Sequence, residues 1–189
     1  MVDFIKILDS AGQTLTIKSK DSASWFENSI KNINKDVKTD PNKVFTKNAQ
    51  PQIGRMYLFT YDAKHKDTLP FFDVYPLVFP VEFYADGFLG INLHYLPPRG
   101  RAMLLNALMT ISNNNKYNDT TKLNISYDLL RSSSKKFSGY NNCVKRYLFG
   151  HVKSSFNYVH PSDWEKAVTL PLQKWQINTN KKYAGSPPY

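Results

Sequence analysis

Three sets of residues in this sequence could do chemistry, and each set asks for a different arrangement. Asp73, Glu82 and Asp86 are acids on neighbouring strand-like segments, and nucleases hold Mg²⁺ with a few acids of this kind. Such a site usually places a lysine near its acids, but here Phe83 and Tyr84 follow Glu82. Cys143 and the four histidines, His65, His94, His151 and His160, are the candidate nucleophile and metal ligands. They are scattered along the chain. There is no CxxC, HxH or HExxH spacing, no histidine adjacent to Cys143, no GxSxG elbow, and no Walker or dinucleotide pattern among the glycines. The expectation is a protein that is not an enzyme, with no cofactor, no metal and no small-molecule substrate. A metal-dependent nuclease built on the three acids is the weakest alternative.

The third set is cationic and aromatic. Lys135, Lys136, Lys145, Arg146 and Lys153 are interleaved with Tyr140, Tyr147 and Phe149, as a surface that tracks phosphates and stacks bases requires. A solvated helix face would carry the same lysines, with Tyr147 in the core. Trp164 and Trp175 complete the expected partner-binding set as desolvated anchors beside the charge. Arg99 and Arg101, after two prolines, fit either contact with an anion or ion pairs to acidic residues of the centre.

The overall balance points the same way. The net charge is +10 over 189 residues, which favours an acidic partner, whether nucleic acid, anionic lipid or protein. Residues 113–189 hold twelve Lys/Arg against four Asp/Glu, a net of +8, so the positive field belongs mainly to the last third. A single cysteine excludes an intrachain disulfide. The start, MVDFIKILDS, has no apolar run of signal-sequence length, and the apolar stretch around Pro76–Pro80 is too short and too broken to span a membrane. Synthesis in the cytoplasm is expected.

These side chains need elements to position them. Hydrophobic content of 41% supports one α+β unit over residues 1–189. In residues 1–50, alternation over Phe4–Leu8 and Thr14–Lys18 predicts a hairpin. Ser24 with Glu27 predicts a capping box opening a helix, followed by an exposed connection. Residues 51–112 predict a small twisted antiparallel sheet or open barrel and a helix over Arg99–Ile111. The strongest hairpin signal is Asp86-Gly87. Pro76 and Pro80 cannot donate to a ladder, so Phe71–Tyr84 must be an edge, bulged or bent. Residues 113–177 predict a basic helical part. Its helices fall near Ser126–Ser132, over Tyr140–Ser154 and in a short turn around Trp164 opened by Ser162 and Glu165. Residues 178–189 read as a tail.

The stretch from Thr68 to Met109, LPFFDVYPLVFPVEFYADGFLGINLHYLPPRGRAMLLNAL within it, resembles small virion proteins of T4-like contractile-tailed bacteriophages. The likeness extends weakly through Leu129-Leu130 and Cys143–Leu148 to Trp164, and leaves the first 50 residues outside. It implies a structural component of the virion, in tail, baseplate or neck, that works through contacts with other virion proteins. It implies no catalytic residue. A DNA-binding protein using the basic last third is the alternative.

Overall fold

Met56, Tyr57, Leu58 and Phe59 are all buried, and a strand achieves that only when both of its faces are covered. The computed structural model describes residues 3–9, 13–39, 50–69, 71–137, 143–170 and 176–177. Its strands are β1 (Met56–Leu58), β2 (Phe71–Phe72), β3 (Leu77–Tyr84), β4 (Gly87–Asn92), β5 (Val144–Leu148), β6 (Asn157–Val159) and β7 (Gln176–Ile177). Five of them form one antiparallel sheet in the order β5-β4-β3-β1-β6, open at β5 and β6, while β2 pairs with β7 separately. The expected α+β class with a small antiparallel sheet is what the chain adopts.

The two central prolines act as their chemistry requires. Phe71–Tyr84 is split into β2 and β3, with Pro76 just before β3. Pro80 lies past the ladder to β1, which covers Leu77 and Val78, and the register to β4 shifts between Pro80 and Glu82. The hairpin closes as expected, with Tyr84 opposite Gly87. Gly87 does not supply a positive φ there. A Cβ at Gly87 would stand 2.1 Å from the Tyr147 carbonyl oxygen, so glycine is required by the close approach of β5.

Helices cover one face of this sheet: α1 (Phe4–Asp9), α2 (Gln13–Thr39), α3 (Pro98–Ser112), α4 (Asp119–Phe137) and α5 (Trp164–Thr169). The N-terminal hairpin is not formed, because its two expected strands lie in α1 and α2. Asp3 caps α1 by accepting from the Ile5 N–H, and the Asn106 side chain on α3 holds both the Phe4 N–H and Asp3 Oδ1. Those contacts, with Phe4 buried, override a local β preference. The Ser24–Glu27 pattern is interior to α2, which starts eleven residues earlier, yet its apolar stripe is real: Phe26 and Ile33 are in the core.

α3 spans the expected segment with its face rotated. Leu104 and Leu108 are buried, as the spacing of Met103, Leu104, Ala107, Leu108 and Ile111 suggests, but Met103 is 57% exposed while Arg101, Ala102 and Leu105 point inward. The short helix near Ser126–Ser132 is longer than expected, since Asn118 Oδ1 accepts from the Thr121 N–H and opens α4 early. In the described part of the expected Tyr140–Ser154 helix, which begins at Cys143, the chain instead forms β5 and a 3₁₀ turn at Phe149–His151. β5 satisfies the outer edge of β4 from Gly87↔Leu148 to Ile91↔Val144. That ladder buries Tyr147 against Phe88, which an isolated helix could not do. The last third, expected to be helical, thus supplies two of the five strands.

The opposite face is aromatic. Tyr57, Phe59, Tyr61, Phe88 and Tyr147 form a second core, with Phe72, Phe149 and Phe156 packed against it. The Phe59 and Tyr147 rings meet edge to face at 5.4 Å, and Phe88 stacks on Tyr147 at 5.3 Å. Non-helical segments cover this layer, because Tyr61 bridges to Val152 and the Lys153 N–H donates to the Thr60 carbonyl.

Candidate nucleic-acid interface

A cavity of about 300 Å³ opens where the aromatic layer reaches β5. Its lining includes Tyr61, Phe72, Tyr95 and Tyr147 among the aromatics, and Lys64, His65, Lys145 and Arg146 among the cationic or titratable groups. The strand pattern puts them there. Lys145 and Arg146 are neighbours on the edge strand β5, and the 62–69 loop brings up Lys64 and His65.

The deep end is polar and tightly bonded. Asn92 Nδ2 donates to both Asp73 Oδ2, at 3.1 Å, and the Tyr147 hydroxyl, at 3.0 Å. Asp73 Oδ2 also lies 2.6 Å from His94 Nδ1, and Asp73 Oδ1 accepts from the Tyr75 N–H. Asp73, Asn92 and His94 are all buried, so this network fixes the floor in one geometry. Burial, reinforced by the Asp73 charge, holds the Tyr147 phenol well above its ordinary range, and it stays a neutral hydroxyl.

The cations differ in setting. Lys145 is partly buried, with its ammonium 4.4 Å from the centre of the Tyr95 ring. Burial lowers its pKa below the usual lysine value, and the Asp73 charge offsets part of that effect. A phosphate oxygen beside it would relieve the same desolvation cost. Arg146 is exposed, lies over the Tyr84 ring at 4.5 Å and pairs with Asp86.

The other expected site residues do not converge on this place. Lys135 and Lys136 are exposed in the last turn of α4, and Lys153 is exposed beyond the bridge at Val152. Arg99 is exposed and lies 3.7 Å from Asp9. Tyr140 and Trp175 lie outside the described residues. Trp164 belongs to the helix-side core: it is buried edge-on against Phe79, and its Nε1–H donates to the Val159 carbonyl. Expected as a surface anchor, it instead holds α5 to the sheet. Arg101 is likewise internal, not a surface contact for an anion. Its guanidinium donates to the carbonyls of Leu96, Ala167 and Leu170, tying the C-terminal end of α5 to α3.

The three acids separate. Asp73 lies near Asn92 at one end of β4, whereas Glu82 and Asp86 are exposed at the hairpin at the other. Among the described residues no group of three His, Cys, Asp or Glu side chains could hold a metal ion, and no helix is long and apolar enough to cross a membrane. Cys143 is buried at the start of β5, where desolvation pushes its thiol up to about 11. Sequence reasoning missed Lys64, His65, Tyr61 and Tyr95 as companions of Lys145. The only advance signal was the charged Asp62–Asp67 loop, which says nothing of where it folds.

A sequence profile described as phage T4 terminal DNA protecting protein matches residues 4–187. The match takes in the N-terminal segment that the resemblance to T4-like phage proteins left out. No curated protein and no solved structure matches the chain.

Proposed function

The chain belongs to the phage T4 terminal DNA protecting protein family, and from this premise we propose that it binds the ends of phage DNA and shields them by occupying them. The reading supplies a partner for the +10 charge, and it makes the expected alternative of DNA binding the leading function. Occupancy needs no bond made or broken.

The observation that carries the reading is the coincidence of charge and aromatic surface at one place, the cavity beside β5. The interior of a duplex offers a protein phosphates and groove edges. An end offers, in addition, a terminal base whose face is free to stack. Phosphate contacts by Lys64, Lys145 and Arg146 would bind any DNA, since each neutralised phosphate releases counterions. Selecting an end takes aromatic groups within reach of those cations, and Tyr61, Phe72, Tyr95 and Tyr147 are there.

The test is competition between a linear duplex and the same sequence closed into a circle, across a salt series. The linear form should win at every salt, with affinity falling steeply as salt rises. Replacing Lys145 and Arg146 together by Gln should lower affinity by roughly ten- to thirtyfold at physiological salt and flatten the salt slope by about two. Equal binding to circle and linear duplex would overturn the reading. A fixed structural place in tail, baseplate or neck is the rival, and it calls for the protein in tails assembled without DNA. End binding calls for its presence only in particles that hold DNA.

A further inference from the structure

The cavity beside β5 supports a step beyond end binding, one that rests on that reading. We propose that it holds the terminal nucleotide of one DNA strand, base inward and phosphate at the mouth.

The burial gradient sets the orientation. Asn92, Tyr147 and Asp73 are buried and form the floor, whereas Lys64 and His65 are exposed and form the mouth, with Arg146 exposed on the rim and turned toward Asp86. A phosphate driven to the floor would meet the Asp73 carboxylate, so the anionic end of any ligand must stay outside with the cations. The floor suits a base edge. A carboxylate has about four lone-pair positions; the Tyr75 N–H and Asn92 Nδ2 donate to two of them, and His94 Nδ1 shares a proton with Asp73 Oδ2. The Tyr147 hydroxyl accepts from Asn92, so its own proton is left to donate to a base nitrogen or carbonyl. Between floor and mouth stand aromatic walls, which bind a base of any identity through its face. That tolerance suits a protein that must hold an end regardless of its last letter.

Size narrows the ligand further. A cavity of about 300 Å³ lies at the lower limit of small-molecule sites, so it admits one nucleotide and not a base pair. The terminal nucleotide must therefore leave its partner or come from a single-stranded overhang, at a cost that is least at an end. This explains selection for ends without any contact to an interior sequence.

The experiment places 2-aminopurine as the last nucleotide of a linear duplex with a one-nucleotide overhang, and in a second duplex at an internal position. Binding should quench the terminal probe and leave the internal one unchanged. Two exposed positions at the mouth give the variants. Leu69→Trp fills the cavity without removing a charge or a core side chain, and should lower affinity for the linear end about tenfold and abolish the quench, with the salt slope unaltered. Lys64→Glu should weaken binding severalfold while the quench at saturation persists. A terminal probe that stays bright on a protein that still prefers ends, or a Leu69→Trp protein that binds and quenches like the parent, overturns the cavity assignment and leaves end binding standing. A parent protein that binds circle and linear duplex alike overturns both. A free deoxynucleoside monophosphate that binds as tightly as the DNA end also overturns it, because the cavity would then serve a free nucleotide.

Discussion

The two faces of the sheet are built from different materials. The helix side is chiefly aliphatic, with Leu58, Leu77, Ile91, Leu104, Leu105 and Leu108 under five helices, and its main polar intruder, Arg101, spends its donors on backbone carbonyls. The other side is aromatic, roofed by non-helical segments, and holds a buried carboxylate, a lysine with a depressed pKa and an open cavity. Aliphatic side chains interdigitate under helices and leave little room. The cavity lies at the margin of the aromatic layer, where residues of the 62–69 loop help to line it. On the proposed reading, the face that holds the fold together and the face that binds DNA are opposite sides of one sheet. A change on the helix side should unfold the protein before it alters binding, and a change on the aromatic side should do the reverse.

The largest expected effect breaks the helix side. Arg101→Met removes the donors from three carbonyls at the junction of α3 and α5 and should cost about 3–5 kcal/mol, read as a lowered urea midpoint. Protein still folded in that variant should bind DNA ends with unchanged affinity. Loss of end binding by a fully folded Arg101→Met protein would show the two faces to be coupled.

A smaller change sharpens the other side. Tyr147→Phe keeps the ring on Phe88 and Phe59 but takes the acceptor from Asn92, so it should cost about 1 kcal/mol. Its effect on affinity for an end should exceed its effect on stability, since Tyr147 and its partner Asn92 both line the cavity. Isothermal binding and urea unfolding on the same sample decide which is larger.

The smallest effect at neutral pH concerns Cys143. Its folded thiol holds its proton up to about 11, while in the unfolded chain it ionises near 9. The folded state therefore binds more protons between those values, and stability should fall as pH rises from 9 to 11, with no change below. At pH 8 the thiolate fraction is roughly a hundredfold lower in the folded chain, and alkylation should be slower by at least that factor. Alkylation of native protein at the unfolded rate would mean that the start of β5 opens freely.

Much of the central region was legible in local sequence. Residues 51–112 were marked as a small antiparallel sheet, the Asp86-Gly87 pair marked the hairpin, and Pro76 and Pro80 forced the break and the bulge. These features depend on backbone chemistry that a residue carries wherever it sits: a missing N–H, a missing Cβ, side chains that alternate. The helix over Arg99–Ile111 was legible from the same kind of spacing, which marked Leu104 and Leu108 for the core but also Met103, which is exposed, and passed over Leu105.

What local sequence could not settle was each feature decided by a distant partner. Phe4–Leu8 alternates like a strand, but Asn106, about a hundred residues away, bonds its first turn and makes it a helix. Cys143–Leu148 has a spacing compatible with a helix, but the unpaired edge of β4 makes it a strand. The cationic and aromatic residues of the last third were visible as a set, yet only the tertiary structure divided them. It buried Trp164 and left Lys135 and Lys136 on a remote helix end. It set Lys145 beside Tyr95 and on the same cavity as Lys64, which lie 50 and 81 positions earlier in the chain. Residue types determine what chemistry a surface can offer, since charge and ring faces are properties of the side chain alone. Which of them share a cavity depends on long-range pairing, because β5 meets β4 across the intervening helices α3 and α4.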